Sequence, residues 1–454
     1  MALPKFFAKF NNKHFFSLAG NVTMSGFSLV IMAILYRRLP AAEMGNWIFF
    51  QTIFVLVDMF RTGFLTVAFI KFYSGTDKDK AAEVLGSTWA TATYITLGLI
   101  LLNIPAFILA TVWKTEGGLY FFLKWFGVCY LCSLPMFVAN CLLQAEARFD
   151  RLLYMRMVNQ FSFLLAIVVL IILHKLSLET LVYSYLLSLL LASLFVLLKG
   201  WTRLYTWKNQ SRTAILQLYH FGKFSVLGNI SSYLLRASDI FIIKGMLGSE
   251  AVAVYNIGLK LLEVIEIPLR SFIATAMQSL SSLYNRGMSS DMMYVLKKYA
   301  GLLTIALIPV CIGSVIFTDF AVYIAAGEKY RGTELAKQAG MVIRLFMTFS
   351  LLFPTDRFIA LGLDVIHKPN VNFMKILVML VVNVGTDFAG IAIFGNVNGV
   401  ALATVFPVLV GIGIGYWSLN KYQHFTLWQI PATGYAEFKI LLREKLHLKR
   451  NFLP

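Results

Sequence analysis

Apolar runs long enough to cross a bilayer, about 20 residues each, recur through nearly the whole of this 454-residue chain. So many runs do not fit a water-soluble core, and the segments that can span hydrocarbon with every backbone polar group satisfied are helices. About twelve such runs are read from the sequence, near 15–36, 46–69, 84–111, 119–143, 155–173 and 180–198, then 222–243, 252–281, 295–317, 338–362, 371–394 and 398–419. Composition agrees, with 59% of residues hydrophobic and 14% charged, against about 45 to 50% and 25% in soluble domains. The expected fold class is an all-α integral membrane protein.

The formal net charge of +18 is spread over many loops. Cytoplasmic loops carry the excess of Lys and Arg, so this charge reads as topology, with the N-terminus inside. An even number of spans returns the C-terminus to the cytoplasm, where Lys439, Arg443, Lys445, Lys449 and Arg450 suit an anionic leaflet. No compact basic domain exists, which argues against nucleic acid as a partner. Cys129, Cys132, Cys141 and Cys311 all fall inside apolar runs, where Cys behaves as a small apolar residue. The six histidines form no metal-spaced cluster. At the start, Phe6, Phe7 and Phe10 interleave with Lys5, Lys9 and Lys13, the pattern of an interfacial amphipathic turn. No small-residue cleavage site flanks the first run, so an uncleaved anchor is expected.

A shift of 208 residues lays Phe16-Ser17-Leu18-Ala19-Gly20-Asn21 on Phe224-Ser225-Val226-Leu227-Gly228-Asn229, with four of the six residues coinciding. It also matches Ile34 with Ile242, Leu39 with Leu247, Phe64 with Phe272 and Ala68 with Ala276. Two copies of six spans each would insert in the same direction, related by an axis along the membrane normal, with substrate bound between them. The expected organisation is an N-lobe at 1–198, a basic cytoplasmic linker at 199–221, a C-lobe at 222–420 and a basic cytoplasmic tail at 421–454.

Between Phe224 and Arg270, Arg236, Asp239, Lys260, Glu263, Glu266 and Arg270 interrupt two apolar runs. A charge at the bilayer centre costs about 2.5 to 3.5 kcal/mol on insertion scales, so these groups need water, a partner or a ligand. At helical period Ser225, Asn229, Ser232, Arg236 and Asp239 share one narrow stripe, and Asn256, Lys260, Glu263, Glu266 and Arg270 share one face of the next helix. In the first copy the matching stripe of Ser17, Asn21, Met24 and Ser28 is uncharged, followed by Asp58 and Arg61 on the second span. Two readings stand. Either the charges neutralise one another and hold the bundle, or they line a wet cavity. Pro354 with Asp356 and Arg357 marks a kink in the tenth span. Asp387 is a lone carboxylate, and Gly411, Gly413 and Gly415 permit close packing or bending of the last.

The loop Arg38-Leu39-Pro40-Ala41-Ala42-Glu43-Met44-Gly45-Asn46-Trp47 resembles that of the Wzx-type polysaccharide flippases. So does its second copy, Leu247 to Tyr255, with Asp239 before it and Lys260 and Pro268 after, and so do Gln144-Ala145-Glu146-Ala147-Arg148 and Gly327-Glu328-Lys329-Tyr330. The similarity covers about residues 10 to 420, through loose motifs shared across a superfamily of multidrug, oligosaccharidyl-lipid and polysaccharide exporters. That resemblance implies a two-lobed, twelve-helix, V-shaped transporter working by alternating access. It would flip an undecaprenyl-diphosphate-linked oligosaccharide from the inner to the outer leaflet of a bacterial cytoplasmic membrane.

On this reading Arg61, Arg236, Lys260 and Arg270 are candidate ligands for diphosphate or acidic sugar, since arginine offers paired donors and lysine a point charge. Asn21, Ser225, Asn229 and Ser232 suit sugar hydroxyls. Asp58, Asp239, Glu263 and Glu266 are candidates for coupling to H+ or Na+, with no other cofactor expected. The expected partners are the lipid-linked oligosaccharide, membrane lipids and glycan polymerase machinery, and the expected state is a monomer. The rival readings are a cation-coupled multidrug extruder of the same superfamily and a membrane glycan enzyme. The longest outer loop, 318–337, shows no recognisable catalytic constellation for the latter.

Overall fold

A computed structural model describes residues 13–114, 117–328 and 332–450. The expected amphipathic turn before residue 13 lies outside them. All regular structure in these segments is helical. Among the described residues, ten helical stretches are long and apolar enough to cross a membrane by length and composition.

The chain divides into two compact units, 1–244 with 248–253, and 245–247 with 254–454. In the first, α1 (Lys13–Arg38), α2 (Ala41–Tyr73), α3 (Lys78–Val112), α4 (Gly117–Ala145), α5 (Phe149–Ile172) and α6 (Leu178–Leu198) are joined by short turns. Local chemistry sets their ends. The Asp77 carboxylate accepts from Lys80 N–H at the start of α3, and Ser177 with Thr180 forms a capping box on α6. A core of Leu65, Phe69, Trp89, Leu134, Phe137 and Val138 joins α2, α3 and α4. Leu101, Leu102, Ile104 and Ile108 on α3 stay exposed, which suits a face turned to lipid.

A short 3-10 turn, Leu204–Asn209, leads into α7 (Arg212–Met246). The repeat assigns α7 to the second copy, whereas packing assigns all but its end to the first unit. Close approach explains this. A Cβ on Gly222 would lie 2.5 Å from the Phe64 carbonyl oxygen, and one on Gly63 would lie 3.1 Å from Asn229 Cβ. Tyr233 also donates its hydroxyl to the Thr52 carbonyl at 2.9 Å.

The second unit continues with α8 (Ser249–Asn285), α9 (Ser289–Ile316), α10 (Thr318–Ala326) and α11 (Glu334–Phe349). The 3-10 turn Ser350–Leu352 follows, then α12 (Phe353–Val365), α13 (Pro369–Phe394), α14 (Val397–Ala403), α15 (Val405–Asn420) and α16 (Gln429–Arg450). The expected kink at Pro354 is therefore a break, because the 3-10 turn separates α11 from α12 and Pro354 sits in the first turn of the new helix. The 37-residue α8 is about 55 Å long. It is not among the ten apolar crossings, since its middle carries the four charges.

The basic tail is an ordered helix docked on α9. Gly301 and Gly434 meet so closely that a Cβ on either would lie within 3 Å of the other's backbone. Glu437 pairs with Lys298 at 2.5 Å and accepts from Tyr294. These hydrogen bonds, from Lys298 first, hold the Glu437 carboxyl below its ordinary range.

α1 and α7 end at Arg38 and Met246, and α2 and α8 begin at Ala41 and Ser249, each pair 208 residues apart.

Candidate functional site

The sequence-selected charges fall into separate constellations. In the first unit Asp58 and Arg61 lie one turn apart on α2. Arg61 Nε and Nη2 donate to Asp58 Oδ1 at 3.1 and 2.7 Å, Nη2 to Ser133 Oγ at 2.9 Å, and Nη1 to the Tyr130 carbonyl at 3.1 Å. Its guanidinium carbon stands 4.7 Å from the Phe137 ring centroid and 5.3 Å from that of Tyr130. Only 2% of the residue is exposed. The guanidinium of Arg61, a candidate diphosphate ligand, is thus engaged within the first unit by Asp58 on α2 and by Tyr130 and Ser133 on α4.

On α7, Asn229 donates to Ser225 O and Oγ at 2.8 and 3.3 Å, so two candidate sugar ligands bind each other. Ser232 and Arg236 are exposed, and Asp239 is 5% exposed and not free. Asn21 lies on α1 with its side chain outside what the structure describes. At the end of α7 Lys244 donates to Asn46 Oδ1 at 2.7 Å and contacts Ser249, which itself donates to Asn46 at 2.9 Å. A Cβ on Gly45 would overlap the Ser249 carbonyl. This clasp joins the two loops that the repeat had aligned.

In the second unit the α8 face carries two ion pairs. Lys260 donates to Glu263 at 3.0 Å, with both side chains partly exposed. Farther along, Glu266 pairs with Arg270 and lies 3.7 Å from Arg357 Nη2 on α12. Here exposure is reversed from the Asp58 and Arg61 pair. The Arg270 and Arg357 side chains are 54% and 48% exposed, while the carboxylate between them is 14% exposed.

Deeper in the second unit Lys375 donates to Asp356 at 2.7 Å, with side chains 3% and 8% exposed. The glycines of α15 make room for this pair. A Cβ on Gly411 would lie 3.1 Å from Asp356 Oδ1, and one on Gly415 2.5 Å from Ile359. Asn383 donates to Asp387 at 3.2 Å, both fully enclosed.

Sequence reasoning passed over Lys375 and treated Arg357 only as part of a kink. The signal was present for both, since an isolated charge inside an apolar run is a functional-site hypothesis by default. Among the described residues no group of three or more His, Cys, Asp or Glu could hold a metal ion, and all four cysteines are free thiols.

A family model described as polysaccharide biosynthesis protein matches residues 34–334, about two thirds of the chain. The chain belongs to the polysaccharide biosynthesis protein family. No curated protein matches the sequence. Among solved structures, the lipid II flippase MurJ in an inward closed conformation superposes with a TM-score of 0.73 at 13% identity, covering 95% of this chain and 92% of the other. An inward-facing multidrug resistance MATE family transporter gives 0.70 at 15% identity, covering 90% and 95%. A MOP superfamily transporter from Pyrococcus furiosus gives 0.60 at 14%, covering 91% and 96%. At these identities the likeness carries the fold alone. This family member has the multi-pass helical fold seen in transporters of the MOP superfamily.

Proposed function

We propose that this family member flips an undecaprenyl-diphosphate-linked oligosaccharide from the cytoplasmic to the outer leaflet of a bacterial inner membrane by alternating access. The single observation that carries this reading is the family match on a MOP transporter fold. The half-exposed guanidiniums of Arg270 and Arg357 supply chemistry suited to it. Sugar and diphosphate are costly in hydrocarbon, so a polar path lowers their crossing barrier while the lipid tail stays in the membrane.

The working form has twelve spans, the ten apolar helices together with α1 and α8, in two six-span lobes at 1–198 and 222–420 with both termini inside. Arg236, Lys260 and Arg270 meet the diphosphate or acidic sugar. Arg61 orients α2 against α4 while its donors remain engaged. Ser225, Asn229, Ser232 and Asn21 offer hydroxyl and amide groups to the glycan as the path opens. Asp239, Glu263 and Glu266 are the carboxylates through which H+ or Na+ would couple, and a monomer suffices for this cycle.

The test is flipping of a fluorescent lipid-linked glycan in proteoliposomes holding the purified protein. Wild type should move the glycan across the bilayer, and Arg236→Ala should insert normally yet move little. Equal transport with and without protein would sink the assignment. A second reading, a cation-coupled multidrug extruder, draws on the shared fold with MATE transporters and on the enclosed carboxylates of α12 and α13. Gradient-driven efflux of cationic dyes, without glycan flipping, would decide for it.

A further inference from the structure

The grouping of Glu266, Arg270 and Arg357 differs from every other ion pair in the second unit. Its carboxylate is shared by two guanidiniums from different helices, which no other ion pair among the described residues of that unit shows, and it is 14% exposed. An ionised carboxylate offers about four acceptor positions, whereas two guanidiniums present about ten N–H donors. Most donors therefore remain for another acceptor, and half of each arginine side chain is open to one. The group carries a net charge of +1.

Its setting is equally specific. Glu266 stands two residues before Pro268, which removes a backbone donor within α8. Arg357 stands in the second turn after the break between α11 and α12. Pro268 leaves one carbonyl of the continuous α8 without its helical donor, and a break precedes α12, so backbone polar groups are freed close to the clamp, as where polar groups at membrane depth line a cavity. The neighbouring charges do not cancel the surplus. Lys260 and Glu263 pair with each other, and the Asp356 carboxylate, next to Arg357 in sequence, is held by buried Lys375.

We propose that Glu266 is an internal stand-in for the substrate's diphosphate. In the empty protein it holds Arg270 and Arg357 at a common focus. An arriving diphosphate displaces it and takes both guanidiniums through paired N–H donors. When Glu266 returns, it competes the diphosphate off and resets the site. Arg357 thereby joins Arg270 as a substrate-binding residue. Exchange is energetically accessible because ion pairs with half-open guanidiniums are weaker than fully enclosed ones.

This inference rests on the flippase reading for the source of the diphosphate, and the experiment separates the two. The probe is inorganic pyrophosphate, titrated into the full-length protein in nanodiscs. Arg357→Ala should weaken binding about ten- to a hundredfold, as expected for loss of a charged hydrogen-bonding partner. Glu266→Gln, which removes the competitor, should tighten binding about tenfold or more and slow glycan flipping. Unchanged affinity in Arg357→Ala, or equal or weaker binding in Glu266→Gln, overturns the proposal.

Should Glu266→Gln fold poorly, Glu266→Gln with Arg270→Gln must bind pyrophosphate more tightly than Arg270→Gln alone, and equal affinity again overturns the exchange. A polyprenyl diphosphate that competes with pyrophosphate, more strongly than the monophosphate does, assigns the clamp to a lipid headgroup. Absence of that competition assigns it to a soluble diphosphate and removes support from the flippase reading while the clamp stands. Intact flipping in a variant without pyrophosphate affinity does the reverse.

Discussion

Asp58 and Glu266 stand 208 residues apart at matching points of α2 and α8, each with an arginine about one turn later. Their fates differ. Arg61 is enclosed by Tyr130, Ser133 and Phe137 and donates four hydrogen bonds, whereas Arg270 is half open and shares its acid with Arg357. A repeat can preserve the position of a charged pair while its neighbours decide whether the pair braces a lobe or meets a ligand. Enclosure with four hydrogen bonds made by one guanidinium makes breakage costly and exchange slow. Exposure with donors to spare makes exchange cheap.

The contrast breaks most readily at Arg61. Arg61→Ala leaves Asp58 without its cation in a largely enclosed place and should lower stability by about 3 to 5 kcal/mol, seen as a loss of thermal stability in detergent. A stable Arg61→Ala protein that fails to flip glycan would instead move Arg61 into the transport path and erase the difference. Lys375→Ala should cost a similar amount, about 3 to 5 kcal/mol, by stranding Asp356. The apolar double variant Lys375→Met with Asp356→Leu should recover most of that loss, and failure to recover would give the pair a role beyond packing.

Arg270→Ala lies at the other pole. It should change stability by no more than about 1 kcal/mol while glycan flipping falls sharply, so a large thermal shift without a transport defect would reverse the assignment. The smallest effect concerns the tail. The Glu437 carboxyl is held below its ordinary range by Lys298 and Tyr294, so its contribution to docking α16 is fully present above the unfolded value of about 4.3 and lost as pH falls through the lower folded one. The protection factors of α16 amides, rates corrected for intrinsic exchange, should stay constant from neutral pH to about pH 5 and fall below it. Glu437→Gln should raise exchange at neutral pH and remove that step.

Much of the fold was legible because it follows from length and period. Continuous apolar runs of bilayer length announced the spans. Turn chemistry at Asp77 and Ser177 is local, and the spacing of Asp58 from Arg61 already allowed an i to i+3 pair. The candidate site was legible only in part. The α8 face was visible as a stripe, but its second arginine comes from α12, 87 residues beyond Arg270. Nothing in the α8 stripe itself points to Arg357. The enclosure of Arg61 depends likewise on α4, whose Tyr130 carbonyl lies 69 residues away in sequence. The tail read as a basic surface segment because its docking rests on Gly434 against Gly301, on Glu437 and on the single buried Ile430 rather than on an apolar run.

Sequence alone therefore determined that this chain spans a membrane many times, that residues around 16–21 and 224–229 correspond at a shift of 208, and that charges interrupt the apolar runs between Phe224 and Arg270. Tertiary structure alone decided which arginines keep donors to spare. Burial length and hydrophobic period accumulate along neighbouring residues, and the chain displays them directly. Whether a guanidinium is satisfied depends on the atoms that distant helices bring within about 3 Å, and that is fixed only when the helices pack.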